Sequence, residues 1–271
     1  MARFLDSHSY MMPAHFGGRV HDGEPSIYDD TRALTVFYRS DADGLAALLP
    51  AGFSLDRPEV MVSMMENRGV RWMGGEPYNI VSVNVAARWD AEDLPGWYCL
   101  VVWENCATPI LPGREQTGIP KIFGEVEGIR EYPDGSARSW SHYGGHTHCE
   151  FEVTGLRDAS EAEASKLRED FGTMDWFGHR FIPVTGMGGA ALNEATLFPQ
   201  SFDITAVKLG EPGLTWTPPP LHKNPTQAHI VGTLAALPIE AFTAPAILMD
   251  AKAILRGNEA RVLGDIPSEA G

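Results

Sequence analysis

Among the chain's five lysines, one sits where covalent chemistry is feasible. Lys121 follows Ile119 and Pro120 and precedes Ile122 and Phe123, in the segment Gly113-Arg114-Glu115-Gln116-Thr117-Gly118-Ile119-Pro120-Lys121-Ile122-Phe123-Gly124. Apolar neighbours on both sides point to burial, and a buried ammonium without a partner shifts toward its neutral amine. A neutral lysine amine attacks carbonyl carbons, with a Schiff base as the usual product. The same residues admit a plainer reading: a lysine on a turn after Pro120, its stem packed on apolar neighbours and its head in water.

A Schiff-base enzyme also needs a charge that orients a substrate carboxylate and a group that moves protons. Arg114 has the fork geometry for a carboxylate and equally suits a structural pairing with Glu115 or another acid, while Glu115 suits organising the loop. The stretch Gly74-Gly75-Glu76-Pro77-Tyr78-Asn79 reads as a tight polar turn between two strands, where Glu76 taken alone is a solvated turn residue. Tyr78 can donate a hydrogen bond to a carbonyl or carbinolamine oxygen. Trp72 precedes this turn and can shape selectivity, although tryptophans are more often core. His142, His146 and His148 beside Cys149 invite a metal reading, but their spacing matches no metal motif; histidines hydrogen-bonded in or beside a barrel are the preferred account, with neither metal nor cofactor.

These residues need strands to position them. Ala33 to Arg39, Glu59 to Met65, Ile80 to Val85 and Tyr98 to Trp103 are rich in β-branched and aromatic residues or alternate apolar with polar. Pro133-Asp134-Gly135 predicts a hairpin turn between Glu125 to Tyr132 and Ala137 to Tyr143. Further strands are expected over Glu150 to Thr154, Phe181 to Val184, Ala190 to Phe198, Asp203 to Gly210 and Ala244 to Arg256. Asp41 suits an N-cap before Leu45, Leu48 and Leu49. Ser160 to Phe171 is the clear amphipathic helix, with Ser160 and Glu163 in capping-box spacing. The fold class expected is mainly β, a large antiparallel barrel or sandwich with a few short helices. Residues 1–26, rich in Gly, His, Met and Pro, read as an arm that packs on the body or on a neighbouring subunit, and residues 27–271 as one domain.

A formal net charge of -15 argues against nucleic acid or an anionic membrane as partner, since both reward clustered Lys and Arg. It also means that an anionic substrate needs local positive charge in its site. No apolar run of membrane-spanning length and no signal-peptide core is visible. Cys99, Cys106 and Cys149 are odd in number and lack metal spacing, which fits a reducing cytoplasm and small buried hydrophobes.

Gly-Arg-Glu, four residues, Pro-Lys, then an apolar residue and Phe-Gly resembles the active-site segment of the acetoacetate decarboxylase family. The likeness continues through Leu34 to Asp41, through Leu45 to Pro50, and through Arg180 to Pro183 and Ala191 to Ala195, so that it spans roughly residues 27 to 250. It implies a closed β-cone fold, an iminium on Lys121 and a small keto acid as partner, in a homo-oligomer. It further implies an acid/base or substrate-polarising role for Glu76 and a cavity-facing Glu194. Arg32 lies near the family's N-terminal arginine but one residue off, and one residue reverses the face of a strand. Where the family's best-known members carry a second lysine, this chain has Ile122, which leaves desolvation as the means of lowering the Lys121 pKa. The resemblance implies decarboxylation of a 3-keto acid, with condensation and dehydration of a 2-keto acid such as pyruvate as the rival. A barrel that binds small molecules without catalysis is the reading from outside enzymology.

Overall fold

A computed structural model describes residues 4–20, 23–186 and 188–267. The strands are β1 (His8–Ser9), β2 (Arg19–Val20), β3 (Ser26–Arg39), β4 (Phe53–Val70), β5 (Tyr78–Trp89) and β6 (Leu94–Glu104). There follow β7 (Lys121–Phe123), β8 (Glu125–Val126), β9 (Arg130–Glu131), β10 (Ala137–Tyr143), β11 (His146–Asp158) and β12 (Met174–Pro183). The last are β13 (Ala190–Glu211), β14 (Leu214–Trp216), β15 (Ala241–Phe242), β16 (Ala246–Leu255) and β17 (Arg261–Asp265). The α-helices among the described residues are α1 (Ala42–Ala46), α2 (Ala107–Glu115), α3 (Glu161–Asp170) and α4 (Ala228–Ala236). None is long and apolar enough to cross a membrane.

The expected strands are present and mostly longer than their sequence signals. Seven of them pair in the order β12-β6-β5-β4-β3-β16-β13, and β13 pairs back to β12, which closes a ring. Every pairing in the ring is antiparallel except the short parallel contact of β6 with β12. From β13 the sheet continues through β11 and β10 to β8, and β1 with β2 forms a separate two-stranded sheet. β13 runs unbroken through Pro199, where the sequence suggests two strands. Arg256 donates its backbone N–H to the Pro199 carbonyl just after β16 ends, so the proline nitrogen faces the end of that ladder and little pairing is lost.

The two faces of the ring strands bury different cores. Leu34, Val36 and Tyr38 of β3 face away from the ring's interior and pack with Val62, Val83, Trp103, Phe151 and α4 residues. Ala33 faces the opposite way, with Met61, Met65, Trp176, Phe202 and Met249. This alternation decides which polar side chains reach the interior. The hairpin at Pro133-Asp134-Gly135 forms as the sequence predicts, with Gly135 at φ +79° and β9 paired to β10. Ser160 and Glu163 cap α3 reciprocally.

Candidate active site

Lys121 opens β7, which lies parallel to β6 with Val102 opposite Lys121 and Trp103 opposite Ile122. Because side chains alternate across a strand, the Lys121 amine joins Val102 and Glu104 on the inner face, and Ile122 joins Trp103 in the outer core. A bulge helps here. Val101 pairs with Val83 and Cys99 with Asn84, so Leu100 is the extra residue that lets Cys99 share a face with Val102 and Glu104.

The segment before Lys121 is held from several sides. α2 carries Pro109, Pro112 and Gly113 and reads poorly as a helix; Pro109 lies in its first turn, where a missing N–H is tolerated. Gly113 packs directly on the Lys121 stem, and a Cβ there would lie 2.3 Å from Cδ and 2.4 Å from Cε. Its carbonyl accepts from the Ile119 N–H at 2.9 Å and from the Thr117 hydroxyl at 2.9 Å. Gly118 turns at φ +70°, and its carbonyl accepts the His179 N–H at 2.8 Å. A Cβ on Gly118 would meet the Arg180 backbone nitrogen at 2.6 Å, so this turn also requires glycine. Arg114, on the exposed side of α2, donates to the Lys121 carbonyl at 3.2 Å.

The Lys121 nitrogen donates to the Pro109 carbonyl at 3.2 Å and lies 2.8 Å from Glu104 Oε1. The Lys121 side chain is 13% exposed and that of Glu104 1%. Both face a partly open cavity of about 60 Å³ at the ring. Its polar lining is Tyr28, Asn67, Tyr78, Ser82 and Gln200, and its apolar walls include Met65, Ile119, Trp176, Phe198 and Leu255. The Tyr28 and Tyr78 hydroxyls hydrogen-bond each other at 2.8 Å. Apart from Lys121 and Glu104, no Lys, Arg, Asp or Glu is among the described residues lining this space.

Electrostatics follow from that pairing. Burial alone pulls the Lys121 pKa down, but the Glu104 carboxylate beside it, helped by Tyr28, outweighs burial and holds the ammonium above its ordinary range. The sequence-based expectation that desolvation leaves a neutral amine is therefore corrected, because the carboxylate opposite could not be placed from sequence. Burial raises Glu104 above the usual carboxylate range, against the pull of Lys121. Burial also pushes Tyr78 well above its ordinary value, with further contributions from Tyr28 and Glu104. The Cys99 thiol is pushed up to about 12 by burial, opposed by Lys121.

Of the residues singled out from sequence, Lys121 and Tyr78 meet at this cavity. Glu76 is exposed on the turn before β5 and is not among the lining residues. Glu115 is exposed at the end of α2. Arg32 points to the outer face of β3, where it pairs with Glu131 and lies 3.5 Å from Asp250; the one-residue offset does reverse its direction. Glu194 pairs with Arg180 at 2.5 Å, away from the cavity. Trp72 is partly buried and borders an open groove of about 760 Å³ alongside α2 and β17. Ile122 lies in the outer core. The three histidines are elsewhere: His142 reaches Glu125 at 2.9 Å and His146 the Thr217 carbonyl at 3.0 Å, whereas buried His148 packs tilted against Trp103 with ring centroids 4.8 Å apart and, contrary to the expectation of hydrogen-bonded histidines, finds no hydrogen-bond partner among the described residues. Sequence reasoning missed Glu104, Tyr28, Asn67 and Gln200. For Glu104 there was one signal, a carboxylate closing the continuous apolar run Tyr98 to Trp103.

The family model described as acetoacetate decarboxylase matches residues 11–252. A search of curated proteins finds no match. Among solved structures, the chain is similar to acetoacetate decarboxylase from Legionella pneumophila subsp. pneumophila str. Philadelphia 1, with a TM-score of 0.72 and 17% identity over 97% of this chain and 91% of that one. It is similar to an acetoacetate decarboxylase-like enzyme from Sphingomonas wittichii RW1, at TM-score 0.71 and 18% identity, covering 97% of this chain and 100% of that one. The enduracididine biosynthesis enzyme MppR, in complex with pyruvate, matches at TM-score 0.67 and 16% identity over 93% and 95% of the two chains.

Proposed function

This chain belongs to the acetoacetate decarboxylase family, and on that premise we propose that it is a lysine Schiff-base lyase that decarboxylates a small 3-keto acid. The observation that supports this reading is the Lys121 amine at the wall of a small, largely apolar cavity, with a buried carboxylate 2.8 Å away to take its proton. Proton transfer from the Lys121 ammonium to Glu104 frees the lone pair, which attacks the substrate ketone. Glu104 returns that proton to the carbinolamine oxygen, which leaves as water while the Tyr28 and Tyr78 pair donates a hydrogen bond to it. The resulting iminium accepts the electron pair of the bond to the carboxylate, and CO2 departs. Arg114 acts on the loop through the Lys121 carbonyl and not on the substrate.

The apolar walls favour decarboxylation over the rival. A substrate carboxylate beside an iminium is a pair of opposite charges, whereas CO2 and an enamine are neutral, and a dry cavity favours the neutral pair. MppR is described with pyruvate, and the tyrosine pair here suits the proton traffic of an aldol condensation and dehydration. Such a reaction keeps the pyruvate carboxylate throughout, and the lining residues described supply it no cation besides Lys121.

Borohydride trapping tests the proposal. Wild-type protein incubated with acetoacetate or pyruvate and reduced is expected to gain the mass of one substrate-derived group, and Lys121→Ala none. No adduct with any small keto acid, or an equal adduct on Lys121→Ala, leaves a binding protein as the surviving reading. Release of CO2 from acetoacetate, against an unsaturated keto acid from pyruvate and an aldehyde, separates the two lyases.

A further inference from the structure

Few charges face the Lys121 cavity, and their balance sets a condition on any anionic substrate. β7 contributes the Lys121 ammonium and β6 the Glu104 carboxylate. The other titratable groups near Glu104 are Tyr28 on β3, Tyr78 on β5, Cys99 on β6 and Cys106 at the start of α2. The strands β4, β12, β13 and β16 present only uncharged side chains, among them Asn67, Trp176 and Gln200. The resting site is therefore one cation and one anion. Only one oxygen of Glu104 is engaged by Lys121, and the other, Oε2, is buried without a hydrogen-bond partner among the described residues.

A keto-acid anion upsets this balance. Condensation converts the ammonium and a ketone to an iminium and water, which conserves the single positive charge, so two carboxylates then share one cation in a low-dielectric space. An unpaired buried charge is costly, and the least costly remedy is to protonate one carboxylate. The substrate carboxylate cannot be the one, since it must be ionised to leave as CO2. We infer that conversion of a bound keto-acid anion to the iminium loads one proton from solvent onto Glu104, and that Glu104 delivers this same proton to the substrate carbon once CO2 has left. This rests on the Schiff-base reading above.

The steps balance. The bond from carbon to carboxylate breaks, its electron pair forms the enamine, and CO2 leaves without charge. The enamine carbon then takes the proton from Glu104, which regenerates iminium and carboxylate, and water hydrolyses the iminium to ketone and ammonium. Overall one keto-acid anion and one proton give one ketone and CO2, and the proton consumed is the one taken up as the iminium forms. Glu104 lies 2.8 Å from Nζ, which leaves the enamine carbon two bonds from that nitrogen within its reach.

The test is proton uptake at pH 7.5, measured by calorimetry in two buffers of different ionisation enthalpy. Pyruvate serves as a keto acid that forms the iminium without losing CO2, and acetone as the uncharged control. Wild type is expected to take up about one proton per site with pyruvate and none with acetone. Glu104→Gln, checked by borohydride reduction for adduct formation, is expected to take up equal numbers of protons with pyruvate and acetone, because a Lys121 amine left neutral by burial gains the same proton on forming either iminium. Equal uptake with pyruvate and acetone in wild type overturns the inference, as does a pyruvate-minus-acetone difference that persists in a Glu104→Gln protein that forms the adduct. The wild-type comparison decides alone if the variant fails to fold. Absence of any adduct in wild type is a different result and sinks the Schiff-base reading itself.

Discussion

Replacing Gly113 by alanine separates the two jobs of α2, supporting the fold and aiming the amine. The new methyl would sit 2.3 Å from Lys121 Cδ, 2.4 Å from Cε and 3.0 Å from Nζ, where an ordinary contact is about 3.5 Å. Roughly 1 Å of movement is needed to relieve the overlap. The helix cannot easily supply it, because the Gly113 carbonyl holds both Thr117 and Ile119. The lysine stem can, because the cavity lies beside it. It swings inward and pulls Nζ away from Glu104 and the Pro109 carbonyl. The stability loss should then be small, about 1 kcal/mol, at the low end for overpacking. The chemical loss should be large, since a misplacement of about 1 Å lowers rates on the order of 100-fold. Urea unfolding gives the first number, and the rate of borohydride-trapped adduct formation with acetoacetate gives the second. A variant that traps at the wild-type rate would refute the claim that Gly113 sets the position of the amine. Equal and severe loss of both would mean that the helix moves instead.

Ile122→Lys puts an ammonium into the outer core beside Trp103, not beside Lys121, so it should cost about 3 kcal/mol in urea unfolding and leave the acidic limb of the pH profile where it was. A moved limb would show that residue 122 reaches the nucleophile. His148 is buried, and burial lowers its pKa from the ordinary 6.5 to about 4, so the unfolded chain binds the proton more readily. The stability it contributes is complete above about pH 6.5 and is lost as pH falls toward 4; between pH 7 and 4.5, wild type should lose about 2 kcal/mol more than His148→Phe. Matching pH dependence of the two proteins by chemical denaturation would remove His148 from the account.

What sequence reveals and what it hides divides by distance along the chain. The capping box of α3 and the Pro133-Asp134-Gly135 turn are local devices, each complete within a few residues. Both are legible in the order of the residues alone. The face of Arg32 is legible only as a question, because one residue decides it and the strand continues past the signal that defines it. Glu104 lies 17 positions before Lys121, and the two meet only through the parallel register of β6 with β7. The bulge at Leu100 then fixes which residues of β6 turn inward. Tyr28, Asn67 and Gln200 come from three further strands, brought together by ring closure. Periodicity finds strands but cannot say which of them are neighbours.

That hidden partner changes the chemical problem. A nucleophilic lysine can be kept neutral by apolar surroundings alone, and the residues around Lys121 taken by themselves invite that solution. Here the amine is instead held as an ion pair that is ready to transfer its proton over 2.8 Å. Low polarity destabilises both charged members of the pair, as the upward shift of Glu104 by burial reflects. The neutral pair of amine and carboxylic acid is therefore closer in energy inside the ring than it would be in water. On the Schiff-base reading proposed above, reactivity comes from one proton moving between two buried atoms, with no need for a low lysine pKa. The absence of a second lysine at position 122 is compatible with this arrangement. Removing the carboxylate should leave Lys121 dry, with burial alone then lowering the lysine pKa, so what the site loses on the Schiff-base reading is the acid that returns protons to the substrate.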